Sequence, residues 1–212
     1  MSSSAAASVA PYRLRVPEGD FEGFIFDCDG TLAESMPVHH RAWHAALSRH
    51  GASFDFHWEL FNRRAGMSIE RTVEELNVEF GLSLDPLAVA REQHSQYERL
   101  LPEVTPIVEV VDFARALAGR PLAVASGGER HLVERTLELI GVTDLFPVVV
   151  VAADVARGKP EPDLFLLAAE RLGVPPAKCL VFEDGAFGIL AAERAGMTAV
   201  LIPGPTERGV LI

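Results

Sequence analysis

From Thr105 to Pro203 the chain alternates between segments of helical period and short apolar runs, and nothing else in the sequence restricts the fold as strongly. The spacing predicts helices over Pro106–Ala118, Arg130–Ile140, Asp163–Leu172 and Phe187–Ala195, followed by Gly119, Gly141, Gly173 and Gly196. Strands are expected over Pro121–Ala125, Phe146–Val151, Cys179–Phe182 and Thr198–Ile202. Repeated strand and helix units build a parallel sheet covered by helices on both faces. The expected class is therefore α/β, a Rossmann-like core.

One further strand belongs with them. Gly23-Phe24-Ile25-Phe26 is apolar without alternation, as a strand buried on both faces must be, and it stops on Asp27-Cys28-Asp29-Gly30-Thr31-Leu32. Asp27 is expected where the sheet meets solvent. Gly30 permits a turn that would bring Asp27 and Asp29 to face one point, where two carboxylates repel each other unless a cation lies between them.

Between that strand and Thr105 the pattern is helical. Pro37–His50 carries Val38, Ala42, Trp43, Ala46 and Leu47 on one face and closes at Gly51; Met67–Phe80 precedes Gly81; and Asp85–Leu101 starts with a plausible cap at Asp85-Pro86. The expected organisation is a tail over residues 1–20, a core of residues 21–35 and 105–212, and an all-helical cap inserted over residues 36–104. The Ser/Ala-rich start lacks a basic segment and an apolar core, so it reads as a disordered tail and not a signal peptide.

Composition excludes several classes. A net charge of −11 disfavours a nucleic-acid partner, since phosphate-backbone affinity needs clustered Lys and Arg. No apolar run approaches the ~18 residues of a membrane span, so no membrane partner is expected. Cys28 and Cys179, the two cysteines, sit in or beside apolar runs, which favours a reducing compartment and a cytoplasmic location. Of the 19 basic residues only Lys159 and Lys178 are lysines, so a task that needs a lysine has two candidates.

In open parallel sheets ligands collect beyond the carboxyl ends of the strands. The first strand ends in Asp27, Cys28, Asp29 and Gly30, and the second in Ser126-Gly127-Gly128. The third feeds a loop with Arg157-Gly158-Lys159-Pro160, and the fourth ends in Glu183-Asp184-Gly185. Acidic groups, a hydroxyl beside two glycines and a rare lysine on one edge suit a divalent cation together with a phosphoryl group. Taken singly, Asp29 reads as a turn former, Ser126 as a helix cap, Lys159 as a surface charge and Glu183 as a surface acid; only the set argues for a site. An EF-hand reading of Asp27–Gly30 fails because its third acidic position and closing Glu are missing. His40 and His44 lie one turn apart but lack the intervening Glu of a metalloprotease.

The set resembles the haloacid dehalogenase-like phosphohydrolases over nearly the whole chain, from Phe21 to Pro203, with four motifs in order: Asp27 to Leu32, Ser126, Lys159-Pro160 and Glu183-Asp184. The resemblance implies that Asp27 attacks phosphorus and carries a phosphoaspartate, while Asp29 protonates the leaving alcohol and later activates water. It implies Mg²⁺ held by the carboxylates of Asp27 and Asp184 and the backbone carbonyl of Asp29, with Glu183 acting through water. Ser126 and Lys159 would bind the phosphoryl oxygens, helped by the amides of Cys28, Asp29 and Gly127. The Cys28 side chain would point away from the site.

Within the superfamily the chain is similar to the beta-phosphoglucomutase-like branch and its sugar-phosphate phosphatases of the fructose-1-phosphatase type. Pro37 to Trp43 matches that branch's helix and places His39 near Asp29; Glu34 stands where many relatives have Asp. A mutase grips a second phosphate with Lys and Arg around a Gly in the second cap helix. Here that stretch is Ala65-Gly66-Met67-Ser68-Ile69, with both cations absent. No lysine in the insert also argues against the Schiff-base lysine of phosphonate-cleaving relatives, and the presence of Asp29 argues against dehalogenation. The expectation is a Mg²⁺-dependent phosphatase acting on a small phosphorylated metabolite, with no obligate protein partner implied. A mutase using Arg63, Arg64 or Arg71 is the alternative, those arginines otherwise reading as a solvated helix face. A catalytically silent metal- and phosphate-binding module is the further alternative.

Overall fold

The computed structural model describes residues 12–210; the first half of the expected tail, residues 1–11, lies outside them. The chain enters at β1 (Gly23–Phe26) and passes through helices α1 (Met36–Arg49), α2 (Trp58–Asn62), α3 (Ile69–Phe80) and α4 (Pro86–Leu100). It then runs α5 (Val108–Ala116), β2 (Leu122–Ser126), α6 (Arg130–Leu139), β3 (Val148–Val151) and α7 (Asp163–Leu172). β4 (Cys179–Glu183), α8 (Ala186–Arg194) and β5 (Thr198–Leu201) complete it. The five strands form one parallel sheet in the order β3-β2-β1-β4-β5.

Burial explains why β1 reads as a continuous apolar run. Phe24 and Phe26 face one core cluster with α5 and α6, while Ile25 faces a second cluster with α7 and α8. Phe26 stacks on Phe182 of β4 with ring centroids 4.5 Å apart, which ties the two central strands together on one face. A third cluster, built on Trp43, Leu47, Phe56, Leu60, Val73 and Leu76, lies among the inserted helices. Val38 and Ala42 on α1, and Tyr97 near the end of α4, belong to the core cluster instead. Both helices therefore bridge the insert and the sheet. The two connections run side by side: Glu34 N–H donates to the Thr105 carbonyl (2.8 Å) and Ile107 N–H to that of Leu32 (2.9 Å).

Element ends differ from the periodicity by a few residues, for local reasons. Pro106 bridges to Ala33, so α5 starts at Val108. A 3-10 turn at Thr143–Leu145 delays β3 to Val148. Ser68 and Asp85 cap α3 and α4, each accepting from an amide of the first turn, so those helices begin just after them. In the described part of the expected tail there is no helix or strand, yet Leu14 packs on the core and Lys178 pairs with Asp20 at 2.5 Å. Among the described residues no helix is long and apolar enough to cross a membrane.

Candidate active site

The parallel sheet brings its strand ends to one edge, where they line a cavity of about 550 Å³. Asp27 follows β1 directly, Ser126 ends β2, and Glu183 ends β4 with Asp184 next to it. All four line the cavity together with Asp29, Gly127, Lys159 and His39. Asp27 is only 5% exposed, not at a solvent margin as expected, because helices of the insert roof the space beyond the sheet edge. Lys159 Nζ donates to Asp27 Oδ1 at 2.6 Å and to Glu183 Oε2 at 2.7 Å, a charge-assisted bridge between two strand ends. Ser126 Oγ is buried and accepts from the Gly128 amide at 3.0 Å, which fixes the hydroxyl at the mouth of the turn. Cys28 sits in the core cluster, fully buried, so only its backbone faces the site; burial pushes its thiol pKa up.

Asp29 is held by a different set. Its Oδ1 accepts from Ser35 Oγ at 2.7 Å and from Tyr97 Oη at 3.3 Å, and His39 Nε2 lies 3.5 Å from the same oxygen. The His39 and Tyr97 rings stack at 3.7 Å between centroids. Burial works to raise the Asp29 pKa, but the partners His39, Ser35 and Tyr97 outweigh it and hold the carboxyl below its ordinary value. Sequence reasoning places His39 here and misses Ser35 and Tyr97. Ser35 precedes α1 as a cap would, yet it makes no cap bond and serves Asp29 instead. Tyr97 is one of two tyrosines, on an otherwise ordinary helix face, and only the packing of α4 reveals it.

Among the described residues one group of metal-ligating type stands together: Asp27, Glu183 and Asp184 offer oxygens all within 4.8 Å of one another. Burial first, and the Glu183 charge second, push Asp27 up from 3.8 to about 7, despite Lys159. Burial and the charges of Asp27 and Glu183 push Asp184 well above its ordinary value. Burial alone would lower Lys159, but Asp27 and Glu183 keep it above 10.5. Three crowded carboxylates with one lysine carry surplus negative charge, which is the donor set a hard divalent cation takes. Gly30, at φ +80°, makes room for the Asp184 carboxylate: a Cβ there would meet Asp184 Oδ2 at 2.0 Å. His40 is occupied otherwise, its Nε2 lying 2.8 Å from the Phe56 carbonyl, which leaves the His40 and His44 pair structural.

A family model of haloacid dehalogenase-like hydrolases matches residues 21–196. The chain belongs to that family. It is 39% identical over 182 residues to the fructose-1-phosphate phosphatase YqaB of Escherichia coli, covering 85% of this chain and 95% of that protein. Among solved structures, a family hydrolase from Deinococcus radiodurans with bound phosphate and sodium superposes with a TM-score of 0.70 at 27% identity, covering 91% and 88% of the two chains. CbbY from Rhodobacter sphaeroides, in complex with xylulose-(1,5)bisphosphate, reaches a TM-score of 0.75 at 25% identity over 87% of each chain. These likenesses span both the sheet and the helical insert.

Over the hydrolase core, the insert contributes a wall of another character. Arg64, expected on a solvated face, is only 9% exposed and lines the cavity. Its guanidinium pairs with Glu79, donates to the Leu60 carbonyl at 3.1 Å and lies 3.8 Å from Glu75. Arg63 and Arg71 sit 3.7 Å and 3.5 Å from the same two glutamates, with exposed side chains. Gln93, 1% exposed, also lines the cavity, and its Oε1 has no hydrogen-bond partner.

Proposed function

We propose that the chain is a Mg²⁺-dependent phosphatase that hydrolyses a small phosphomonoester, a sugar phosphate, through a phosphoaspartate on Asp27. One observation carries this: Lys159 holds Asp27 at 2.6 Å on one side of the cavity, while Asp29, two residues on, is turned to Ser35, Tyr97 and His39. Two neighbouring carboxylates in different surroundings suit different roles.

Asp27 attacks phosphorus as the bond to the leaving oxygen breaks, and Asp29 gives that oxygen its proton. In the second step Asp29 takes a proton from the water that attacks the phosphoaspartate, releasing inorganic phosphate and restoring Asp27. The depressed resting pKa of Asp29 keeps it ionised, the form that can take a proton. An arriving phosphate adds negative charge beside it and shifts the balance toward holding a proton. Lys159, Ser126 and the amides after Asp27 and Ser126 meet the phosphoryl oxygens. Asp27, Asp184 and the Asp29 carbonyl would hold Mg²⁺, with Glu183, already bound to Lys159, outside the direct ligands. When bound, the ion offsets negative charge on the phosphoryl group and on Asp27.

Hydrolysis is favoured over mutase chemistry because Arg63, Arg64 and Arg71 face Glu75 and Glu79, and Arg64, the cap arginine that lines the cavity, is thereby paired and not free for a second phosphate. The sugar-phosphate substrate rests on similarity to the fructose-1-phosphate phosphatase. The purified chain with Mg²⁺ should release phosphate from p-nitrophenyl phosphate and faster from a sugar monophosphate. No release from any phosphomonoester in a broad panel would end the reading.

A further inference from the structure

We infer that Gln93 reads the hydroxyl groups of the substrate, on a cap wall that Glu79 keeps from gripping a second phosphate. The inference deepens the phosphatase reading and rests on it.

Gln93 lies one helical turn before Tyr97 on α4, so the two side chains share a face. Tyr97 reaches Asp29, which fixes where that face stands: Gln93 is one turn further from the reacting end, on the wall of the same cavity. Its amide is enclosed and its Oε1 is unpartnered. Buried polar groups nearly always find a partner, and Gln93 borders the cavity that a substrate would fill. An amide carries both an acceptor and donors, so a turn about its last bond offers either to a hydroxyl.

The charge nearby points to the same ligand class. Arg64 is the one cap arginine on the cavity wall, and Glu79 takes its guanidinium while Glu70 adds another carboxylate to the lining. A second phosphate would have to displace Glu79 and approach Glu70. A neutral hydroxyl has neither obstacle. The ligand class is a sugar or polyol with one phosphate and free hydroxyls beyond it.

The test uses the full chain with Mg²⁺ and three probes: fructose 1-phosphate, fructose 1,6-bisphosphate and p-nitrophenyl phosphate. Gln93→Leu should lower the kcat/KM ratio of fructose 1-phosphate to p-nitrophenyl phosphate by about 10- to 100-fold, chiefly through KM, as expected when a hydrogen-bonding site loses its group. A ratio that moves by less than about 2-fold overturns the role of Gln93. Should the leucine variant fail to fold, Gln93→Asn, which keeps the amide but withdraws it by one methylene, decides in the same way. Glu79→Gln should raise the ratio of bisphosphate to monophosphate turnover at least ~5-fold by freeing Arg64, and an unmoved ratio overturns that half. Turnover of p-nitrophenyl phosphate with unmoved ratios sinks this inference alone; absence of turnover by the wild type on all three sinks the phosphatase reading instead.

Discussion

The two walls of the cavity are built on opposite terms. On the sheet side, Asp27 and Glu183 are buried around Lys159 with the half-buried Asp184 crowded beside them, and two of the carboxyls are displaced upward. On the cap side, Arg64 is neutralised by its glutamates and an amide stands without a partner. The sheet edge is rigid, so it can hold groups in an arrangement that folding alone would not favour. The cap wall is largely apolar, with Met36, Trp43, Phe56, Phe61 and Ile69 around a few polar groups, as a surface that sorts substrates by shape and hydroxyls should be. On the proposed function, chemistry is kept on one wall and selection on the other.

The largest test of this division is Asp27→Asn. Hydrolysis should fall at least ~10,000-fold, the scale of losing a nucleophile. In chelator the same variant should melt no lower than the wild type, because a neutral amide suits that buried position better than a carboxylate. Asp27 also fixes a pH dependence. Its folded pKa, about 7, lies above the ordinary 3.8, so between those values the folded chain holds a proton that the unfolded chain has released. Stability from this group is therefore full below about 4 and is lost as pH rises through about 7. Thermal melts in chelator at several pH values should show the difference, wild type minus variant, falling across that window. A flat difference would contradict the crowding of the sheet wall.

Lys159→Met comes next, with kcat down about 100- to 1,000-fold, as for loss of a preorganised charge at the transferring group. Tyr97→Phe is smaller. It removes one hydroxyl at 3.3 Å from Asp29 and keeps the ring stacked on His39, so kcat should fall about 2- to 10-fold with KM little changed. An equal fall in kcat and rise in KM would move Tyr97 from positioning Asp29 to binding substrate.

The sheet wall is legible in the sequence because Asp27, Ser126, Glu183 and Asp184 sit at strand ends and Lys159 in the loop that follows one, where position follows from the alternation of elements. Asp27, Ser126, Lys159, Glu183 and Asp184 all lie at the edge that the parallel order dictates. The cap wall is not legible in the same way. Which of Arg63, Arg64 and Arg71 turns inward depends on how the turn after α2 is packed, and three arginines within nine positions look alike in sequence. Ser35, Tyr97 and Gln93 gain their meaning from the crossing of α1 and α4 over the sheet, which local periodicity does not encode.

The smallest expected effect is that of Arg71→Gln. Arg71 keeps 69% of its side chain exposed and lies 3.5 Å from Glu75, an i,i+4 pair on the outside of α3. Such pairs contribute little in water, so the variant should melt within about 0.5 kcal/mol of the wild type and turn over every probe within about 2-fold. Its value lies in what a larger effect would mean. If turnover of a bisphosphate, and not of a monophosphate, fell several-fold, Arg71 would have to swing from its glutamate to a distal phosphate. The cap wall would then be a second anion site and not a balanced surface, and the mutase alternative would regain the cation whose absence argues against it.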